Sequence, residues 1–461
     1  MTKKNSELSR RDFVKKGSAG MAAATAAANL TWLSPSAYAQ AGATALRLGI
    51  VGCGGRGTGA VFDNLLAAEE LDLDVKIVAM ADLAPDRLAS SRETMLEEWQ
   101  GKGRYDVKDD HIFVGVNSYK QLCELDDVDI VIQTTPPGLR FLTLDAAVKN
   151  GKHSFVEKPV CVDADTYRLC LAAGQQAKEK GLAVVSGTQY RRETSYIEAI
   201  DRMQNGLIGD ITGGFEYYCS STQWHRGRGP EGDPWTEMEY QMRNWPYFTW
   251  LSGDLIAEQS IHNIDAVDWL MQGPPVRAYA SGGRTARTAE EYGNVYDNFS
   301  VDYDYQVGNS MVRFSFKGRQ WPNAANRIEN LFVGTKGTLY LQPNPGRTRW
   351  IAKDHDGGVI ASNRGNDGNN QPYVEEHKQL LKSIVDGEPI MEIKDVADSS
   401  MTAIIGREAA YTGRDVLFDW MANDSQLKLR PDAIEPGKDI QLGEVDLPHP
   451  NVPIPGTYRL Q

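Results

Sequence analysis

The stretch Leu46–Gly57, LRLGIVGCGGRG, holds the residues whose types and spacing most directly suggest chemistry. An apolar run stops at Gly52-Cys53-Gly54-Gly55-Arg56-Gly57, and a helical pattern opens at Thr58. This predicts a buried strand, a tight turn and a helix N-terminus. Gly52 permits the turn, Gly54 lets the main chain approach a pyrophosphate, and Gly57 lets helix and strand pack closely. A second apolar run, Val75 to Ala81, ends in Asp82, 25 residues past Gly57. A carboxylate there can hold a ribose diol; the alternative is a strand-end residue that caps the next helix. Glu157-Lys158-Pro159 closes another apolar strand, where sheet C-termini meet such a cleft, and the φ-restricted Pro159 holds the lysine in one direction. Gly253 to Asp265 reads as one helix, with Glu258 and His262 at i,i+4 on a shared face and Asp265 three residues beyond the histidine. The plain alternatives are a surface lysine at a domain junction and a core histidine.

The elements that must position these groups follow from hydrophobic periodicity. From Leu46 to Pro159 strands and helices alternate, as in a doubly wound parallel sheet. Helices are expected from Pro85 through Arg87 to Trp99, from a Ser118 cap to Leu125, and at Leu142–Asn150. Strands are expected at His111–Val114, Val128–Ile132 and His153–Val156. After Asp163 come a helix (Asp165–Lys180), a strand (Leu182–Val185) and a helix (Thr194–Asn205). Strands then dominate, and their alternation suggests an antiparallel or mixed sheet with one face covered. Asp354–Gln371 is rich in Gly, Asn and Asp and reads as an exposed loop. Helices Tyr373–Asp386 and Asp395–Thr412 follow. The expected division is a leader over 1–39, a dinucleotide domain over 46–163, a substrate and oligomerisation domain over 164–427, and an irregular tail over 428–461.

At 461 residues, 41% hydrophobic and 24% charged, the chain has the composition of a globular protein with ample core. A net charge of −13 argues against a nucleic-acid partner. No internal apolar run is long enough to span a membrane. Ser9-Arg10-Arg11-Asp12-Phe13-Val14-Lys15, an alanine-rich segment to Leu33 and Ala37-Tyr38-Ala39 form a twin-arginine export signal, predicted to be cleaved after Ala39. That route carries folded proteins to the periplasm through the Tat machinery, so a tightly held, recycled dinucleotide is expected. Five cysteines, without C-x-x-C or metal-ligand spacing, imply neither a disulfide framework nor a metal site.

With GIVGCGGRG, the Asp82 strand end, Thr134 to Pro137, GKHSFVEKP and the Glu258-x-x-x-His262 segment in place, the chain resembles the Gfo/Idh/MocA oxidoreductases over roughly Leu46 to Thr412. The resemblance implies an α/β fold, an N-terminal Rossmann domain with a doubly wound parallel sheet followed by an α/β domain with a large mixed sheet that often forms a homo-oligomer interface. It implies a carbohydrate or cyclitol substrate. It also implies cofactor contacts from Gly52, Cys53, Gly54, Gly55, Arg56, Gly57, Asp82, Thr135, Pro136, Glu157 and Lys158. By position, Lys158 and His262 correspond to the family's catalytic lysine and histidine, and Glu258 takes the place of the usual aspartate. Oxidising a secondary alcohol needs a base for the hydroxyl proton while hydride leaves for the nicotinamide. Histidine can accept that proton, lysine can stabilise the developing alkoxide, and a carboxylate can orient either group. Arg140 stands where many members carry histidine, and Ser260 where glycine is common. Arg191, after a strand, Asp265, and the aromatic concentration between Tyr217 and Trp250 are candidate substrate contacts, with Tyr217, Trp224, His225 and Trp245 foremost. An oligomer interface or core seam is the other reading of those aromatics.

Three functions are open at this stage. One is an oxidoreductase acting on a sugar, cyclitol or glycoside. The second is a redox-neutral glycoside hydrolase or lyase using transient ring oxidation; the exported branch with that chemistry resembles E-x-P without the lysine, whereas this chain keeps Lys158. The third is a non-catalytic sugar-binding protein. Asp82 favours NAD over NADP, because a carboxylate repels a 2′-phosphate and no arginine follows it directly.

Overall fold

The computed structural model describes residues 45–221, 224–343, 349–363, 371–440, 447 and 451–460. The export signal and its cleavage site therefore lie outside the described residues. Two sheets organise the chain. The first has six strands, all parallel: β1 (Leu46–Val51), β2 (Val75–Asp82), β3 (Ile112–Val114), β4 (Ile130–Gln133), β5 (His153–Val156) and β6 (Val184–Ser186), in the order β3-β2-β1-β4-β5-β6. Its strands are near-continuous apolar runs because helices cover both faces. These helices are α1 (Gly55–Glu70), α2 (Pro85–Trp99), α3 (Ser118–Cys123), α4 (Arg140–Lys149) and α5 (Ala164–Glu179). The strand order reverses between β1 and β4, which opens a crevice at their C-terminal ends. The sheet runs one helix and one strand beyond residue 163: Asp163 caps α5 by accepting from the Thr166 amide, and α5 leads into β6.

The second sheet has nine strands: β7 (Ile211–Ser220), β8 (Arg277–Gly283), β9 (Asn298–Val307), β10 (Ser310–Gln320), β11 (Arg327–Gly334), β12 (Gly337–Gln342), β13 (Arg349–Lys353), β14 (Val359–Asn363) and β15 (Val416–Leu417). Their order is β14-β13-β12-β11-β7-β10-β9-β8-β15, antiparallel except for the parallel β7–β10 pair. The expected fold class, a parallel doubly wound sheet plus a mixed one, is borne out. Between the two units lies α6 (Ile393–Thr412), which is buried beyond its first turn and packs on β8, β9 and α5. Its buried polar residues are paired, as Arg407 is with Glu408, which lets a helix of mixed character sit there. All five cysteines are buried and unpaired.

Four local expectations change. Asn117, not Ser118, precedes the first turn of α3; its side chain instead pairs with both the amide and the carbonyl of Ile440 in the tail. The stretch expected to be an exposed loop contains β14, an edge strand on β13. A short helix, Glu237–Arg243, forms within the aromatic-rich segment. Finally, Gly253–Asp265 is two helices, Asp254–Glu258 and Ile261–Met271. The Leu255 carbonyl accepts from both the Gln259 and Ser260 amides, and the second helix restarts from the Ser260 carbonyl.

Candidate active site

The glycine turn explains itself sterically. Gly52 has φ +98°, in the left-handed region, and a Cβ there would lie 2.9 Å from Thr134. A Cβ on Gly57 would lie 1.9 Å from the Gly52 carbonyl oxygen, so only glycine lets α1 pack on the turn. Gly54 is the N-cap of α1 and supplies no side chain, which leaves the first-turn amides free for an anion. The turn forms one wall of a cavity of about 1070 Å³ that extends past Asp82 and Thr134–Pro136 to Trp224 and Trp245. Asp82 accepts from the Cys53 amide through Oδ2 at 2.6 Å and from the Ala84 amide through Oδ1 at 2.7 Å. Each oxygen keeps a second lone pair for a diol. Burial pushes this carboxyl above its ordinary range, against the two amides and the Arg87 guanidinium. Arg87, five residues on and one helical turn into α2, faces the cavity with a buried Nη2 that has no partner. An open helix N-terminus, a turn that only glycine can make and a strand-end carboxylate fit a dinucleotide.

Of the expected cofactor set, Glu157 and Lys158 do not line this cavity, and Arg56, which does, has its guanidinium engaged by protein groups. Arg56 bonds Glu157 at 2.5 Å and Asp63 at 2.8 Å, lies 4.0 Å from Glu376, and covers the Tyr373 ring. Burial raises Glu157, but Arg56, Lys158 and Arg140 outweigh it and hold the carboxyl below its usual range. Glu376, also buried and facing Glu157, goes well above it. One carboxylate and one carboxylic acid thus share an arginine. Arg56 and Glu157 act as a brace behind the glycine turn, and a Cβ on Gly187 would strike the Glu157 carboxylate at 2.7 Å. Nothing in the local sequence marks Glu376; the contact forms only when Pro372–Val385 packs on α1.

Lys158 extends from the end of β5 toward the second domain. Its ammonium donates to the Glu258 main-chain oxygen at 2.7 Å and stands 3.4 Å from Oε1 of that carboxylate. Gln259 donates to the other carboxylate oxygen at 2.6 Å. Arg140 neither faces solvent nor offers a cation to a ligand. It is 5% exposed, and it donates to the carbonyls of Thr135, at 2.9 Å, and of Pro159. It thereby ties the turn after β4 to the turn carrying Lys158. Burial lowers this guanidinium to about 10. His262 is 7% exposed, and its Nδ1 has no partner. Its ring lies 4.9 Å from Tyr190, which stacks on Tyr196. Burial, reinforced by Lys158, drives the imidazole well below its ordinary value, so it is neutral. Because the helix breaks at Gln259–Ser260, Glu258 and His262 do not share a continuous helical face. What brings Glu258 to the site is its contact with Lys158.

Residues 46–188 match an oxidoreductase family with an NAD-binding Rossmann fold, and residues 196–340 match the GFO/IDH/MocA C-terminal domain. The chain belongs to the Gfo/Idh/MocA oxidoreductase family. An uncharacterized oxidoreductase of Streptococcus pneumoniae is 27% identical over 49% of this chain and 55% of its own length, so the alignment spans about half of that relative. A glycosyl hydrolase family 109 protein of Shewanella amazonensis is 24% identical over 73% of this chain and 74% of its own. Among solved structures, the aldose-aldose oxidoreductase of Caulobacter crescentus shares the fold with a TM-score of 0.62 at 20% identity, covering 81% of this chain and 100% of that one. Levoglucosan dehydrogenase in complex with NADH and levoglucosan does so with a TM-score of 0.64 at 16% identity, with the same coverage.

Within this Gfo/Idh/MocA protein the expected substrate contacts separate into four groups. Arg191 and Asp265 are spent on each other in a half-buried two-point pair, with Ser399 donating to the same carboxylate, so they brace the His262 helix. Tyr217 is on the wrong face. Tyr218 reaches Gln259 through its hydroxyl, so strand alternation turns Tyr217 to the outer face of the second sheet, against Arg327. Trp224 and Trp245 do line a cleft, but it is the dinucleotide cleft. Exposed His225 pairs with the Tyr240 hydroxyl at 3.1 Å.

Proposed function

We propose that this protein transfers hydride between a secondary hydroxyl of a sugar, cyclitol or glycoside and a nicotinamide dinucleotide held in the cleft of the first domain. The observation that carries this reading is the meeting of Lys158 with Glu258 beside a neutral, buried His262, at the C-terminal end of β5, the strand next to β4. The bound nicotinamide would supply the hydride acceptor. His262 accepts the hydroxyl proton, since a neutral imidazole has a free lone pair. Lys158 offsets the charge that develops on the substrate oxygen, and Glu258 holds the ammonium in one direction. Arg140 fixes the turn on which Lys158 stands. The sugar-bound and NADH-bound states of the structural relatives support a substrate of this class. Asp82 supports NAD over NADP.

A redox-neutral second reading has its own support. Relatives named as glycosyl hydrolase family 109 proteins align over up to 73% of the chain, and a 2,7-anhydro-N-acetylneuraminate hydratase of Escherichia coli is 25% identical over half of it. In that reaction a bound nicotinamide would take up and give back one hydride with no net redox change, water would replace the eliminated group, and Lys158 and His262 would serve both half-reactions. The twin-arginine signal supports export, cleavage after Ala39 and a periplasmic enzyme with a captive cofactor. The outer face of the second sheet, with Phe215, Tyr279 and Met311 exposed, supports a homo-oligomer.

The test is to denature the purified protein and identify any released nucleotide, then to offer sugar and aryl-glycoside panels to the loaded enzyme. Released NAD with sugar-dependent reduction fits the first reading. Aryl-glycoside cleavage without net reduction fits the second. Released NADP would overturn the assignment from Asp82.

A further inference from the structure

The wall of the dinucleotide cleft opposite Asp82 comes from the second domain. Trp224, Arg226, Met242, Arg243 and Trp245 face Asp82, Asp86 and Arg87 across the cavity. This segment is built as a unit: Thr236 caps its helix by accepting from the Glu239 amide, and Asn244 accepts from the Arg226 amide at 2.7 Å. Arg243 stacks over Trp235 and bonds Glu239. It also crosses the cleft. Its two terminal nitrogens donate to the two oxygens of Asp86, at 2.8 and 3.1 Å, while the Arg243 side chain is only 7% exposed. A bidentate pair with one partner this buried is geometrically fixed in a way ordinary surface pairs are not. Beneath the bridge, Arg87 lies across the glycine turn, its Nη1 3.7 Å from where a Gly54 Cβ would stand and its Nη2 unpaired. Arg226 covers the Trp224 ring nearby. Two cations and an indole are therefore held around a cavity whose nearest carboxylates, Asp82 and Asp86, are already engaged by main-chain amides and by Arg243.

We propose that residues 224–245 form a latch over the adenosine half of the dinucleotide, closed by the Arg243–Asp86 bridge, so that the cofactor leaves only when the bridge opens. The inference rests on the dinucleotide reading above and adds to it binding residues from outside the Rossmann domain: Trp224 and Arg226 on the roof and Arg87 on the floor. These groups suit a ligand that presents a flat heterocycle beside phosphate oxygens. A latch on a cofactor that is reduced and reoxidised in place costs the enzyme no turnover, whereas one on an exchanging cofactor would limit it.

The test loads the full-length protein with NADH, adds excess NAD, and follows the loss of bound-NADH fluorescence. Asp86→Ala is expected to release NADH about tenfold faster than the parent, a loss of about 1.4 kcal/mol. Arg226→Ala is expected to do likewise without touching the bridge. Salt is expected to speed release from the parent more than from Asp86→Ala, which lacks the bridge but keeps Arg87 and Arg226. Release from both variants within about twofold of the parent rate would overturn the latch while leaving the dinucleotide reading in place. A parent that retains neither NAD nor NADP would overturn that reading, and the latch with it.

Discussion

The Lys158 ammonium from the first domain donates to the main-chain oxygen of Glu258 in the second, at 2.7 Å, and only more distantly to its carboxylate, at 3.4 Å. Main chain and side chain thus hold the lysine separately, and substitutions can tell them apart. Glu258→Gln keeps the shorter contact and is expected to lower kcat by no more than about tenfold. Lys158→Ala removes the charge itself and is expected to lower kcat by roughly 10²–10⁴-fold. Steady-state kinetics with any accepted sugar checks both. Equal losses would mean that the carboxylate is itself a reacting group.

His262 predicts an unusual pH profile. A histidine at its ordinary value near 6.5 would lose base function as the pH falls through that value. Burial and Lys158 hold this imidazole neutral well below it. Sugar oxidation is therefore expected to show no fall in log kcat/KM attributable to a group near 6.5 between about pH 7.5 and pH 6. A unit slope with an inflection near 6.5 would contradict this assignment.

The glycine turn gives a paired prediction. Gly57→Ala places a methyl group 1.9 Å from the Gly52 carbonyl and must push α1 off the turn, whereas a Cβ on Gly55 meets nothing within 4 Å. Gly57→Ala is expected to weaken NAD binding at least about a hundredfold, and Gly55→Ala by far less, because only the former moves the helix N-terminus that faces the pyrophosphate. Calorimetric titration with NAD distinguishes them. Similar affinities would show that the turn does not carry the phosphates.

Much of this was legible in the chain because it is local. Strand, glycine turn, helix and strand-end Asp82 carry their own periodicity and spacing, and Lys158 ends an apolar run. What was not legible depends on partners far along the sequence. Arg56 meets Glu157 across 101 positions, and Arg191 meets Asp265 across 74, so their types read equally well as ligand contacts. Tyr217 and Tyr218 differ only in strand parity, which is decided by the face that the helices cover. The helix break at Gln259–Ser260 occurs in residues with no strong breaking tendency; Lys158 occupying the Glu258 carbonyl and the Leu255 carbonyl taking two amides impose it. β14 hid among Gly, Asn and Asp because an edge strand paired on one side needs little apolar surface.

A stability prediction comes from His153. Its Nδ1 accepts the Ala183 amide at 2.9 Å, and burial lowers the imidazole to about 4. The unfolded chain binds this proton below about pH 6.5 and the folded chain does not, so stability falls as the pH drops from about 6.5 to 4. At 1.36 kcal/mol per unit, the group accounts for a loss of about 3 kcal/mol across that window. His153→Asn keeps an acceptor without the titration. Urea unfolding at pH 7 and pH 4.5 is expected to show a smaller difference for the variant than for the parent, and an equal difference would remove His153 as a cause.

The most direct measurement is a single-turnover experiment on protein loaded with NAD and mixed with a panel of sugars and cyclitols, following the absorbance of the reduced nicotinamide. The parent is expected to reduce its bound cofactor with at least one of them, and Lys158→Ala and His262→Ala to do so more slowly by orders of magnitude while still holding NAD. Reduction at the parental rate in both variants would contradict the account, because the chemistry would then be proceeding without the two residues proposed to carry it.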